Sequence, residues 1–358
     1  GSGSVNQIIS VSGTSLVDGT TNPPTFNPDL IWIVDRDTSG GARWLFDTVR
    51  GSNNFLQSNS TDDQGTRTFT INNNGVSIPA GDGSYNDSSN YVAWCWKAGG
   101  NKNTFNVDDV GYASAAAAGL TGGSIPPTGA SVGTKQGFSI IKYTGTDATS
   151  NTFSHGLSQK PDFAIFKNLS QDGDDWIVYH TSLGATKRVK LNTTAIADSQ
   201  TSQFNDTEPT SSVFTIGTYD NINKLNNNYI SYLWTDTPGL QKFGQYEGNT
   251  TEGAFVELGF RPAIIWIKAI DQTWYWNVQD AERSPFNPSK GNFLRFDTTA
   301  TENAASGNNN IDFLSNGFKI RSTTAQSEPT NVNAQTYIYC AWAEAPTFNL
   351  FGAQSNAR

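Results

Sequence analysis

The chain has little of the chemistry on which most enzymes depend. Its 358 residues include two histidines, two cysteines and no methionine. Neither His155 nor His180 belongs to an HxxxH or CxxC pattern that would bind a metal, and we expect both at the surface or at strand ends. The GxSxG, P-loop and GxGxxG motifs are absent as well. The sequence therefore predicts a non-enzymatic protein with no catalytic residues, no cofactor and no metal.

Basic residues and long apolar runs are also scarce. The formal net charge is −9 and the pI is about 4.7, whereas nucleic-acid partners need clusters of Lys and Arg. The densest basic run is Lys187–Lys190, so no nucleic acid is expected. No stretch of eighteen apolar residues occurs, so no membrane insertion is expected. The opening GSGS does not resemble a signal peptide and looks like an artificial addition, so we expect the native N-terminal region to lie upstream.

Acidic residues are numerous, but most lie in loops rich in Asn, Gly and Ser, where they cap turns. Asp172, Asp174 and Asp175 could offer carboxylate oxygens to calcium, yet their run lacks the DxDxDG order of a ligand loop. A calcium ion is therefore not predicted. A glycosidase stays open at this point, because the fold rather than the spacing brings its two carboxylates together.

Three aromatic strings stand out among what the sequence does contain. YVAWCW at residues 91–96, YISYLW at 229–234 and YIYCAW at 337–342 share their first Tyr and their last Trp. Four further blocks precede each string in the same order, beginning with runs led by Pro28, Pro161 and Pro262. Five blocks repeated in one order predict three structural repeats.

The spacing of the repeats locates an interruption. The first two strings begin 138 residues apart and the last two 108 apart, and the excess falls in a stretch rich in Gly, Ala, Ser and Pro. That composition predicts a linker with little regular structure and little buried apolar surface, unless it docks on a neighbouring module, and we expect proteases to cut there first. The predicted organisation is a first module at 1–97, a linker at 98–136, a second module at 137–240 and a third at 241–358.

The local patterns are those of strands. Short β-branched and aromatic runs are bounded by Gly, Asn, Asp, Ser and Thr, and no window keeps a 3.6-residue apolar period. The 10 Trp, 12 Tyr and 21 Phe supply large buried areas. We predict an all-β fold of three tandem antiparallel β-sandwich modules. Aromatic positions repeated in every module, such as Trp96, Trp234 and Trp342, are expected in the core.

The two cysteines lie on corresponding strands of the first and third repeats. Cys95 and Cys340 are one position out of register with each other, so the alternation of a strand directs them to opposite sheet faces. No disulfide is expected between them. Buried free thiols are the prediction, which suits assembly in a reducing cytoplasm.

One aromatic cluster differs between the repeats and is the candidate contact surface. Trp274, Tyr275 and Trp276 lie in one predicted strand, so their side chains alternate between its two faces. Asp271 and Arg283 are near in sequence. Aromatic faces could stack on sugar rings while the carboxylate and guanidinium bind hydroxyls or acids, and we predict these five residues as a receptor or glycan site. The competing interpretation is packing within and between modules.

The chain resembles a repeat module found toward the C-terminus of large virion proteins of marine tailed phages, including cyanophages. The strings that carry the resemblance are NYVAWCWKAGG at 90–100, GFSIIKYTGT at 137–146, HGLSQKPDF at 155–163, WIVYHTSLGATK at 176–187 and SNAR at 355–358.

That resemblance implies a structural protein of the virion, assembled in the host cytoplasm, as a fibre, appendage or capsid-surface component. Other virion proteins are the implied partners, and a glycan or protein of the host cell surface is the expected target. A homo-oligomer is compatible with it. Two alternatives stay open: a polysaccharide depolymerase of the virion, and a structural spacer or decoration protein without a ligand.

Overall fold

A computed structural model describes residues 7–10, 26–72, 75–80, 85–251, 253–289, 292–302, 310–321 and 330–344. Strands dominate, and two four-residue helices are the helical elements of this part of the chain. The predicted all-β class is therefore confirmed. No helix in the described ranges is long and apolar enough to cross a membrane. The GSGS and SNAR segments used above lie outside the described residues.

The first unit comprises a five-stranded and a three-stranded antiparallel sheet. Their orders are β5-β4-β3-β2-β8 and β1-β7-β6. The strands are β1 (Gln7–Ser10), β2 (Leu30–Asp35), β3 (Arg43–Asp47), β4 (Asn54–Gln57), β5 (Gly65–Thr66), β6 (Thr70–Asn72), β7 (Gly75–Ile78) and β8 (Tyr91–Trp96).

The second unit has a nine-stranded sheet and a two-stranded sheet. Their orders are β10-β9-β11-β12-β19-β14-β15-β16-β17 and β13-β18. The elements are β9 (Phe105–Val107), β10 (Val110–Tyr112), β11 (Gly129–Gly133), β12 (Phe138–Thr144), β13 (Asn151–Ser154), β14 (Phe163–Asn168), β15 (Ile177–His180), β16 (Lys187–Lys190), β17 (Asp198–Ser199), α1 (Thr201–Phe204), β18 (Val213–Ile216), α2 (Asp220–Asn223) and β19 (Asn228–Trp234).

The third unit repeats the plan of the first. Its sheets run β20-β27-β22-β23-β24 and β21-β26-β25. The strands are β20 (Gln241–Glu247), β21 (Phe255–Glu257), β22 (Pro262–Ala269), β23 (Asn277–Asp280), β24 (Leu294–Arg295), β25 (Ile311–Leu314), β26 (Gly317–Ile320) and β27 (Thr336–Ala343).

The three aromatic strings form strands with the same neighbour in each unit. β8, β19 and β27 run antiparallel to β2, β14 and β22, the strands that follow the repeated prolines. The first Tyr of each string lies opposite a residue at the end of that partner strand. The pairs are Asp35↔Tyr91, Asn168↔Tyr229 and Ala269↔Tyr337.

Each unit is a two-layer sandwich whose larger sheet is buried on both faces. In the third unit Ile265 and Ile267 of β22 pack in one apolar cluster with Val256, Phe318 and Ile320 of the smaller sheet. Every residue of β2 and β14 is buried, as in strands covered on both sides. The second face of each larger sheet therefore needs a different partner.

That partner is the other two units. A single apolar cluster joins the inner faces of all three larger sheets, and at its centre lie Trp32, Trp96, Trp234, Trp266 and Trp342. Ring centroids of Trp96 lie 6.3 Å from Trp234 and 5.6 Å from Trp342, while Trp234 and Trp342 are 6.0 Å apart. The last Trp of each repeated string thus packs against the last Trp of the other two.

Equivalent hydrogen bonds link the units in a closed ring. The donors occupy one repeated position, just before or at the start of β3, β15 and β23, and the acceptors are main-chain carbonyls at the end of β4, β16 and β24. The bonds are Trp176 Nε1 to Gln57 O (3.0 Å), Trp276 Nε1 to Lys190 O (2.9 Å) and Arg43 Nε to Arg295 O (3.0 Å).

A second set of contacts repeats around the same ring. It joins the last residue of β3, β15 and β23 to the aromatic string of another unit. The pairs are Tyr232 Oη to Asp47 Oδ2 (2.7 Å), His180 Nε2 to Tyr339 O (3.1 Å) and Trp94 Nε1 to Asp280 Oδ2 (3.1 Å). Three equivalent interfaces therefore close the chain on itself.

The stretch at 98–136 has regular structure, and it takes the docked alternative, because it packs on the second unit. This stretch contains β9, β10 and β11, which extend the larger sheet of the second unit. Its few apolar residues are used, since Phe105, Ala130 and Val132 are buried in the second unit's outer cluster. Gly99 lies so close to β11 that a Cβ there would stand 2.5 Å from the Val132 amide nitrogen. Small residues here allow main-chain pairing, which composition alone does not distinguish from flexibility.

Candidate functional site

The five residues predicted as a contact site do not form one surface. Trp276 is fully buried in the central cluster, where its indole makes the hydrogen bond to Lys190. The Arg283 side chain is 4% exposed and pairs with Asp280 at 2.6 Å and with Glu302. Trp276 joins the third unit to the second, and Arg283 is engaged by carboxylates of its own unit. Neither residue is accessible to a ligand, so their assignment to the site is wrong.

The other three residues remain accessible. Trp274 and Tyr275 are half-buried and Asp271 is exposed. Trp274 stacks on Tyr337 at a centroid distance of 6.2 Å and an interplanar angle of 16°. Residues 273–276 precede β23 without regular secondary structure rather than in the predicted strand, so Trp274 and Trp276 reach different clusters although they are two positions apart.

One charged side chain contacts this aromatic pair, and another precedes it by three residues in the chain. The Arg295 guanidinium lies 4.7 Å from the ring centroid of Tyr275, a cation–π contact. The Asp271 carboxylate accepts a hydrogen bond from the Thr336 amide at 2.8 Å, which positions it at the end of β22. Trp274, Tyr275, Asp271 and Arg295 are called the aromatic patch below. It offers ring faces, a carboxylate and a guanidinium, and Arg295 is the member that sequence spacing missed.

The two histidines lie at strand ends but are buried, which corrects the expectation of surface positions. In each, Nδ1 accepts a main-chain N–H, from Leu157 to His155 and from Ser182 to His180, at 3.1 Å. Nε2 therefore donates, to the carbonyl of Thr210 or Tyr339. Burial lowers the pKa of both imidazoles to about 4. They are neutral structural groups.

The cysteines are free, and they face opposite sides of their sheets as predicted. Cys340 is buried in the central cluster, whereas Cys95 packs at the edge of the first unit's outer cluster. Cys95 is half-buried rather than buried, although its thiol lies in apolar surroundings that raise its pKa to about 12. A thiol with so high a pKa is a poor nucleophile at neutral pH.

The acidic run near residue 172 is engaged in local contacts. Asp174 accepts from the Asn168 amide at 2.6 Å, and Asp175 pairs with Lys190 at 2.6 Å. Within the described ranges, no group of three or more His, Cys, Asp or Glu is arranged to hold a metal ion.

A polar cleft of about 380 Å³ lies between the first unit and the strands of the 98–136 stretch. Asn27 and Asn72 line one side, and Asn101, Lys102 and Asp109 line the other. Amide, ammonium and carboxylate groups are of the kinds that bind sugar hydroxyls. One feature of the sequence could have indicated this cleft: the 98–136 stretch has no counterpart in the other repeats.

One carboxylate that lines this cleft, that of Asp29, is already engaged in hydrogen bonds within the protein. Asp29 accepts hydrogen bonds from the Thr48 hydroxyl and from the amides of Ala98 and Gly100, at 2.7 to 3.1 Å. Burial raises its pKa, and these bonds oppose that shift. Asp109, the other carboxylate of the cleft, pairs with Lys97 at 2.6 Å. Asp29 ties the first unit to the start of the 98–136 stretch.

The fold and its surfaces define a class of protein: three β-sandwich units closed into a ring around a shared tryptophan core. The chain belongs to the family described as Domain of unknown function (DUF7483), whose model matches residues 3–346. That range includes all three units, so the family model describes the whole ring. Comparisons with curated proteins and with solved structures found no match.

Proposed function

We propose that the chain is a structural component of a phage virion, in a fibre, appendage or capsid surface, and that it contacts the host cell. The resemblance of the repeat strings to virion modules supports the assignment. The observation that carries it in the fold is the closed ring of three units around one core. Because the units share this core, none of them can unfold locally without exposing the other two. Resistance to local unfolding suits a protein that works outside the cell.

The aromatic patch is the contact surface in this proposal. Trp274 and Tyr275 keep part of each ring accessible although neighbouring residues hold them in place. Rings held in this way lose little entropy on binding and can cover the apolar C–H face of a sugar. Asp271 and Arg295 would bind its hydroxyl or acidic groups. Weak single contacts gain strength when a virion displays many copies.

The virion assignment is tested by immunogold labelling of phage particles with antibodies against the purified chain. Labelling of the particle surface is the expected result. Labelling confined to lysed cells, with clean particles, would contradict it.

The contact surface is tested by binding the purified chain to a glycan array and to marine bacteria, including cyanobacteria. Trp274→Ala and Tyr275→Ala are expected to weaken binding by about tenfold or more, as for a central aromatic contact. The comparator is Asn101→Ala with Lys102→Ala in the polar cleft, which should bind like the unchanged chain. Loss in the comparator alone would move the contact to the cleft. Surface labelling of particles without any binding would identify a spacer instead.

A further inference from the structure

The three interfaces of the ring are closed by groups of different chemistry. At the ends of β3 and β23 the repeated contact uses a carboxylate, Asp47 or Asp280, and an arginine of the same unit pairs with each. At the end of β15 the equivalent residue is His180, whose Nε2 lies 3.1 Å from the Tyr339 carbonyl oxygen of the third unit. Of these three contacts, the one between the second and third units therefore depends on an imidazole.

The hydrogen bonds of His180 fix its neutral form. Nδ1 accepts the Ser182 amide at 3.1 Å and so carries no proton, whereas Nε2 carries the proton that it donates to Tyr339. A second proton would have to enter at Nδ1, where it would face the Ser182 N–H. Protonation therefore breaks this bond and leaves a positive charge on a fully buried side chain. Burial accordingly lowers the pKa of His180 to about 4.

The titratable groups packed around this contact do not offer the imidazolium a counter-charge in acid. They are Tyr339 and Cys340 of β27, Lys242 of β20, and Lys160, Asp162 and Asp236 in the segments before β14 and after β19. Burial raises the pKa of Tyr339 and of Cys340, so both stay neutral. Burial also raises the pKa of Asp236 to about 6, so Asp236 is neutral before His180 takes up its proton. Protonation of Asp236 on acidification favours the folded state and opposes the effect of His180.

We propose that protonation of His180 opens the junction between the second and third units, so that the ring contains an acid-operated switch. In the open junction water reaches the imidazole, which then takes up a proton that the closed junction excludes. Because burial depresses the pKa from 6.5 to about 4, the contact is fully stable above pH 6.5 and weakens as the pH falls between these values. Opening exposes inner sheet faces of both units, including Cys340 in the central cluster.

Thiol labelling of the full chain tests the switch. Cys340 follows Tyr339 directly and is buried in the central cluster, whereas Cys95 packs at the first unit's outer cluster. A dipyridyl disulfide, which reacts with thiols in acid, is added at pH values from 7 to 4.5, and labelled peptides are measured by mass spectrometry. After correction for the reagent's rate with a free cysteine peptide, labelling of Cys340 should rise about fiftyfold over this range, from the pKa change of His180. Equal acceleration at Cys95 would show unfolding of the whole chain and overturn the switch.

His180→Gln and His155→Gln form a matched pair for this measurement. Both histidines are buried in the same tautomer with a pKa lowered to about 4, but His155 bonds to Thr210 within the second unit. Glutamine at position 180 keeps an amide donor and does not titrate, so His180→Gln should abolish the acid acceleration at Cys340. His155→Gln should retain it. Acceleration that persists in His180→Gln, or that is lost in His155→Gln, would overturn the assignment to His180.

NMR titration of the two imidazoles gives a second test that needs no variant. The His180 ring should stay neutral, with its proton on Nε2, in the closed junction, and it should become charged over the same pH range in which Cys340 becomes labelled. A His180 ring that takes up a proton while Cys340 stays protected would overturn the switch.

Discussion

At the scale of single residues, position 297 departs from the repeat. The first two units have an asparagine at this position, and its side-chain oxygen accepts a main-chain amide: Asn59 from Arg43 at 2.9 Å and Asn192 from Trp176 at 3.0 Å. The third unit has Asp297, which is 8% exposed; its carboxylate oxygens make no hydrogen bond of normal geometry within the described ranges, although the main-chain amides of Asp297 and Trp276 lie near enough to oppose the rise in its pKa. Burial raises its pKa to about 7.

Asp297→Asn should therefore stabilise the protein, and more so as the pH rises. Because the pKa of the folded-state carboxyl is raised from 3.8 to about 7, stability is lost as the pH rises between these values. An amide does not titrate. We expect a gain of about 2 to 4 kcal/mol at pH 8 and a smaller one at pH 5, measured by urea denaturation.

The reciprocal change is the control for this prediction. Asn192→Asp should lower the free energy of unfolding, with the larger loss at pH 8. A gain from Asp297→Asn that is identical at the two pH values would contradict the argument from ionisation.

The buried tryptophans give a second expectation at this scale. Trp234 is fully buried and stacks on Phe138 at 4.5 Å. Trp234→Ala should lower the free energy of unfolding by about 3 to 5 kcal/mol, the range for a large buried aromatic. The equivalent changes at Trp96 and Trp342 should act similarly. Trp274→Ala is the matched control and should cost about 1 kcal/mol, since its ring is half-buried. Comparable losses at Trp234 and Trp274 would place Trp274 in the core.

At the scale of elements, the 98–136 stretch shows how small residues can build a sheet. β9 runs parallel to β11, and β11 pairs antiparallel with β12, so the stretch is bound through its main chain. Asn106 and Asp108 add side-chain bonds to neighbouring turns, among them Asp108 Oδ1 accepting from the Thr134 amide at 2.8 Å. Main-chain pairing offsets the low apolar content of this stretch.

Gly99→Ala should detach this stretch from the sheet. The added methyl would stand 2.5 Å from the main chain of Val132, a contact that strands cannot absorb without moving apart. We expect a loss of about 2 kcal/mol or more and new proteolytic cuts within 97–136. Gly119→Ala is the control, because its φ is +74° but open space surrounds it, so a loss of about 1 kcal/mol from backbone strain is expected. An intact cutting pattern in Gly99→Ala would contradict the close approach.

At the scale of the whole molecule, the three units depend on one another. Removing any unit would expose the tryptophan faces of the other two, because one apolar cluster contains residues of all three. The interface between the third and first units contains the same two repeated hydrogen bonds as the other two interfaces. It adds an ion pair of Arg36 with Glu302 at 2.7 Å, and Glu302 also pairs with Arg283.

Thermal unfolding should therefore occur in one cooperative transition. Calorimetry should give a single peak whose calorimetric and van't Hoff enthalpies agree, since the inner face of each larger sheet is covered by the other two units. Trp32→Ala, in the first unit, should shift the whole peak to lower temperature. Separate peaks, with only one displaced by this change, would show independent modules.

The order of the strands, their all-β class and the opposite faces of Cys95 and Cys340 follow from the sequence itself. Alternation and repeated blocks are local properties, and a strand expresses them whatever lies beside it. The pattern of Trp96, Trp234 and Trp342 also marked core positions correctly.

What covers each face was decided by the tertiary structure. An inward tryptophan looks the same in sequence whether it packs within a unit or against a neighbour, so the shared core and the burial of Trp276 and Arg283 were not predictable. The strands of the 98–136 stretch depend on main-chain pairing with β12, which leaves no apolar pattern to detect. The sheet face to which a side chain points is set locally, by alternation along its strand. Which part of the chain packs on that face depends on contacts between residues hundreds of positions apart.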